Sequence, residues 1–108
     1  MAEYLNGKLA SFTAPLPDEP KKVQRVKLME EAGEAFSAAQ LYDEAKQAAD
    51  MSGFFTFQLN HAETDLLDEL ADVIQCCVNL AAVYGLTPTE LDIALDRCRM
   101  RNENRGRC

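Results

Sequence analysis

The chain predicts an all-α fold, and three observations carry that prediction. Apolar residues recur at helical spacing over long segments, no segment shows the strict alternation of a half-buried strand, and helix start and stop signals fall at the ends of the periodic runs. With 108 residues the chain is expected to form a single domain over 1–108, with a lead-in over 1–20 and an arginine-rich tail over 97–108. Pro15, Pro17 and Pro20 break regular structure in the lead-in, where Tyr4, Leu5, Leu9 and Phe12 suit a short packing helix. Asp18-Glu19-Pro20 then reads as a helix start.

The first main helix is expected over about 20–50. Leu28, Met29, Ala32, Ala35, Phe36 and Ala39 form its apolar stripe. Ser52-Gly53 is a stop, and Phe54, Phe55, Phe57 and Leu59 follow, either as a loop docking its aromatics on the core or as a short element; Phe54, Phe55 and Phe57 suit core packing or stacking on a base. The second main helix is expected over about 64–84, capped by Asn60 with Glu63 or by Thr64. Tyr84-Gly85-Leu86 reads as its end, with glycine at the left-handed position. Thr87-Pro88-Thr89-Glu90 starts a third helix, whose stripe is Leu91, Ala94, Leu95 and Cys98.

Composition narrows the function. Eighteen acidic against eleven basic residues give a net charge of −7, which disfavours nucleic acid as the main partner. The uncharged run over 73–89 holds Gln75, Asn79 and Gly85 and is shorter than the roughly 20 apolar residues that span a bilayer. The first residues lack a basic region followed by an apolar core, so a cytoplasmic location is expected. Cys76, Cys77, Cys98 and Cys108 form no C-x-x-C pair and read as reduced thiols, with Cys76 and Cys77 as small core residues.

The acids are the informative feature. Glu31 and Glu34, in the run Met29-Glu-Glu-Ala-Gly-Glu34, share a helix face, while Glu30 points further away. On the second helix Asp65, Glu69, Asp72, Cys76, Asn79 and Val83 fall within about 80° of arc at about 100° per residue. Beyond Asp72 that helix is apolar nearly all round, as a buried helix is. Carboxylates at the start of such a segment need a compensating cation, and Lys46 is the only basic residue between Lys27 and Arg97. Two acidic pairs at three-residue spacing, with no His or Cys, suit Mg²⁺ or Mn²⁺. Exposed acids at this spacing are also common with no ion at all. Asn79 is suited to a sugar or base contact, or to a neighbouring backbone group. His61 is given no role. Residues 97–108 net +4 and the rest of the chain −11; the arginines suit phosphate oxygens, or charge balance at a helix end.

Glu30-Glu31-x-x-Glu34 followed by Glu69-x-x-Asp72, within Asp68-Glu-Leu-Ala-Asp-Val-Ile, resembles the MazG-like all-α nucleotide pyrophosphohydrolases over about 25–107. Arg101-Asn-Glu-Asn-Arg-Gly-Arg107 is similar to the Asn-plus-basic ending of many members. The resemblance implies a helical bundle assembled as a homodimer or homotetramer. It implies an enzyme that cleaves nucleoside triphosphates to the monophosphate and pyrophosphate, including house-cleaning of aberrant nucleotides. It implies Mg²⁺ held by Glu31, Glu34, Glu69 and Asp72, with Glu30 as a further ligand or a base. Asn79, Arg101, Asn102, Arg105 and Arg107 are the expected substrate contacts. The 34 residues between Glu34 and Glu69 exceed the usual gap, with the excess around 51–61, which should alter the pocket or the assembly. A di-iron bundle is excluded because no E-x-x-H motif exists. A non-catalytic helical module, or an inactive nucleotide-binding relative, is the alternative, and a nucleic-acid binder acting through the arginine tail is a further rival.

Overall fold

The computed structural model describes residues 21–53 and 55–106. It is all-helical: α1 (Lys21–Ser52), α2 (Thr56–Val83) and α3 (Pro88–Asn104), with no strand among the described residues. The short lead-in helix and the Asp18-Glu19-Pro20 start lie outside the described residues.

α1 is a long alanine-rich helix without proline, so its propensity is high throughout. It ends where Gly53 takes φ 71° and donates its N–H to the Ala49 carbonyl at 2.9 Å. The Ser52 hydroxyl donates back to the Ala48 carbonyl, one turn earlier, at 2.8 Å.

The expected stripe on α1 divides in two. Leu28, Ala35, Ala38 and Ala39 are buried or half-buried, whereas Met29 and Phe36 are 76% and 66% exposed. At about 100° per residue, Phe36 and Met29 lie roughly 80° and 100° round from Leu28, at the exposed edge of the stripe.

The second helix starts well before the expected position 64. The chain enters α2 at Thr56, two turns earlier, so Asn60 and Thr64 are interior residues rather than caps. The Thr64 hydroxyl accordingly donates back to the Asn60 carbonyl at 3.1 Å. Phe55 occupies the capping position with φ 70°, and its carbonyl accepts the Leu59 N–H at 3.0 Å. An aromatic residue in the left-handed region breaks the usual capping pattern, which hides this start from the sequence. The 53–55 connection is short, so α1 and α2 form a helical hairpin.

The end of α2 matches the expectation. Leu86 N–H donates to the Ala81 carbonyl and Gly85 N–H to the Ala82 carbonyl, both at 2.9 Å, with Gly85 at φ 78°. Thr87 caps α3 in a reciprocal box. The Glu90 N–H donates to Thr87 Oγ1 at 3.1 Å, and the Thr87 N–H donates to Glu90 Oε2 at 3.0 Å. Leu91, Ala94, Leu95 and Cys98 are all half-buried, as their spacing predicts.

The chain divides into two compact units, one of Met1–Gln24 with Cys77–Cys108 and one of Arg25–Cys76. Among the described residues the buried apolar side chains are Ala38 and Cys76 in the Arg25–Cys76 unit and Val78 and Val83 in the other. Residues 73–83 are all buried or half-buried, in line with the apolar circumference of that segment. Cys76, Cys77 and Cys98 form no disulfide, and burial pushes the Cys77 thiol up. No single described helix is long and apolar enough to cross a bilayer.

Candidate functional site

The unit Arg25–Cys76 holds the acidic residues of both motifs. Glu31 lies on the same arc of α1 as Leu28, Ala35 and Ala38, and Glu69 on the same arc of α2 as Ala62, Leu66 and Val73. Both glutamates are therefore half-buried within apolar seams, while Glu30, Glu34 and Asp72 are exposed. The hairpin brings one ligand oxygen each of Glu31, Glu69 and Asp72 within 4.8 Å of one another.

Glu31 Oε2 and Glu69 Oε2 are shielded from solvent and receive no hydrogen bond. Burial is the first cause that raises both carboxyls above their ordinary value of 4.5. For Glu31 a hydrogen bond with Glu34 and the charges of Glu34, Asp72 and Glu69 add to it. For Glu69 the charges of Glu34 and Asp72 act in the same direction, and its contact with Glu31 opposes them. Glu34 thus presses on both members of the cluster without being one of the three converging ligands.

Among the described residues, neither Lys nor Arg is paired with Glu31, Glu69 or Asp72. Lys46 pairs with Asp50 at 3.1 Å, away from the cluster. An open cleft of about 860 Å³ adjoins it, lined by neither Lys nor Arg. Its walls are Glu30, Gly33, Glu34, Ser37, Ala38 and Leu41 from α1, facing Phe57, Gln58, His61, Ala62, Asp65 and Glu69 from α2. The donor set fits a hard dication: oxygens only, two of them buried without a proton donor, in a field of like charge.

Phe57, which the sequence offers for core packing or for stacking on a base, lines the cleft too; Gln58, His61 and Asp65 escaped the reading of the sequence as site residues. Their signal was the spacing 58, 61, 65 and 69, which continues the Glu69 face backwards by three turns. Phe57 is 80% exposed and Phe55 49%, so neither is the core aromatic that its composition suggests. His61 Nε2 stands 3.5 Å from Asp65 Oδ2, one turn along α2.

The other expected contacts belong to the second unit, and none lines the cleft. Asn79 is half-buried. The Asn102 amide turns back on its own helix and donates to Cys98 Sγ at 3.3 Å. Arg101 and Arg105 are exposed at the end of α3, where cations suit the helix dipole; Arg107 lies outside the described residues. Arg99 is engaged by Glu103 at 3.5 Å and Asp96 at 4.0 Å.

Compared with protein-family models, with curated proteins and with solved structures, the chain shows no match in any of the three.

Proposed function

We propose that the protein is a Mg²⁺-dependent nucleoside triphosphate pyrophosphohydrolase of MazG-like type, acting through the Arg25–Cys76 unit. The observation that carries this reading is the convergence of Glu31, Glu69 and Asp72 beside a ligand-sized cleft that offers the carboxylates no cation. Glu31, Glu69 and Asp72 would hold the ion, with Glu34 completing the oxygen set. Mn²⁺ would serve in place of Mg²⁺ because both prefer oxygen donors.

When bound, the ion supplies positive charge to the phosphate oxygens and acidifies a water. The chain's own residues do the rest. Glu34 and Glu69, on the cleft wall, fix where the triphosphate enters. Glu30, exposed on the same wall, takes the proton of the attacking water on a carboxylate oxygen. That water oxygen bonds to the α-phosphorus as the α–β bridging bond breaks, leaving the nucleoside monophosphate and pyrophosphate. Outside the cleft, the exposed guanidinium groups of Arg101 and Arg105 are suited to phosphate oxygens.

Self-association belongs to the same proposal. Met29, Phe36, Met51 and Leu67 are each at least 60% exposed, more large apolar surface than a helical chain of this size leaves uncovered without reason. A homodimer or homotetramer would bury it. The rival reading, a non-catalytic helical module, uses the same apolar faces and differs in the acids.

The deciding experiment offers nucleoside triphosphates with Mg²⁺ or chelator and measures pyrophosphate. The proposal expects release that requires the metal and is abolished in Asp72→Asn. Release that persists in Asp72→Asn, or no release from any triphosphate, overturns it.

A further inference from the structure

We propose that the first turns of α2 form the base-recognition end of the cleft and select nucleotides whose base carries an exocyclic amine. The inference rests on the pyrophosphohydrolase reading and adds the substrate class. The cleft has two chemically distinct ends. At one, Glu34 and Glu69 border the carboxylate cluster; at the other stand Phe57, Gln58 and His61, facing Ser37 and Leu41 across the hairpin. A triphosphate drawn to the acidic end through a metal ion leaves its nucleoside pointing along the cleft toward the second group.

That second group is built for an aromatic ring. Phe57 holds its side chain in water, 80% exposed, although it lies in a structured helix and lines the cleft. Such a side chain offers a stacking face to any base, and Leu41, also exposed, offers an apolar contact on the opposite helix. Gly33 also lines the α1 wall, where the space is open and a Cβ would meet nothing within 4 Å.

The polar edge selects among bases. Asp65 lines the cleft one turn before Glu69, and its carboxylate can only accept hydrogen bonds. His61 approaches one of its oxygens at 3.5 Å, which leaves acceptor capacity on the group. The amine of cytosine or adenine donates to such an acceptor. The 4-keto oxygen of uracil or thymine meets it lone pair to lone pair. Gln58, with a donor and an acceptor on one amide, can follow either edge and so fixes orientation without setting the preference.

The test compares the full-length protein with Phe57→Ala and Asp65→Asn. Turnover of dCTP and dATP is set against that of dUTP and dTTP with Mg²⁺, and binding of non-hydrolysable α,β-imido dCTP and dUTP is measured by equilibrium dialysis. The wild-type protein is expected to favour the amine-bearing pair about tenfold in kcat/KM and in affinity. Phe57→Ala is expected to raise KM and Kd about tenfold for all four, with kcat little moved. Asp65→Asn is expected to bring the amine-to-keto ratio near one. Both variants should keep the Mg²⁺-induced rise in melting temperature, which reports a folded chain and an intact ion site. An unchanged KM and Kd in Phe57→Ala, or an unchanged ratio in Asp65→Asn, overturns the inference while the hydrolase reading stands. Failure of the wild-type chain to release pyrophosphate from any nucleotide overturns both.

Discussion

Glu31 and Glu69 approach each other from different helices, and each buries one oxygen, Oε2, where no donor reaches it. Two like charges in apolar seams oppose folding, so the arrangement is a local cost to the chain. Removing one of them should therefore help the metal-free fold. Glu69→Gln is expected to raise the melting temperature in chelator and to abolish the further rise that Mg²⁺ gives the wild-type protein. Differential scanning calorimetry with and without Mg²⁺ reads both effects. A variant that melts lower than wild type in chelator would show that the pair is not repulsive.

The pH dependence has a defined sign. Both carboxyls have folded pKa values raised above 4.5. Between 4.5 and the raised values the folded chain holds more protons than the unfolded chain, so these groups' contribution to stability falls as pH rises through that window. The ion requires the deprotonated forms, so the Mg²⁺-induced shift runs the other way. It should be full at pH 7.5 and vanish toward pH 4.5. Melting curves at several pH values, with Mg²⁺ and with chelator, check both slopes.

Two glycines should respond oppositely to the same added methyl. Neither Gly33 nor Gly85 would meet an atom within 4 Å of a new Cβ, so space decides neither case. Gly85 has φ 78°, and Gly85→Ala is expected to cost about 1 kcal/mol. Gly33 lies inside α1, and Gly33→Ala is expected to stabilise by about 0.8 kcal/mol through helix propensity. Denaturant titration of the two variants measures the difference.

The apolar arc of Met29 and Phe36 makes a prediction about mass. Light scattering on the eluting wild-type protein should give a multiple of 12.0 kDa. Phe36→Glu should weaken association by at least about 2 kcal/mol, roughly 30-fold in dissociation constant, by removing one large buried side chain per copy. A wild-type mass of one chain would remove the case for self-association.

Much of this was legible in the residues. Thr87, Pro88 and Glu90 announce α3, and Gly85 with Leu86 announces the end of α2, because caps are local chemistry. Helical spacing paired Glu31 with Glu34 and Glu69 with Asp72; the structure brings ligand oxygens of Glu31, Glu69 and Asp72 within 4.8 Å of one another and leaves Glu34 outside that trio. The start of α2 was not legible. Phe55 adopts a backbone conformation that its side chain disfavours, which only the surrounding structure can impose. With that start hidden, Gln58 and His61 could not be placed on the Glu69 face. The split of the α1 stripe was hidden too, because alanines among its residues blur the boundary between its buried and its exposed side.

The hairpin geometry of the acids also bears on kinetics. Glu31 and Glu69 are distant along the chain, so an ion bridging them acts as a detachable crosslink that closes a long loop. Its ligands converge only once both helices are formed and paired, so it should leave the rate of folding nearly untouched and slow the rate of unraveling. The metal supply around the protein would then set how long each molecule survives between openings.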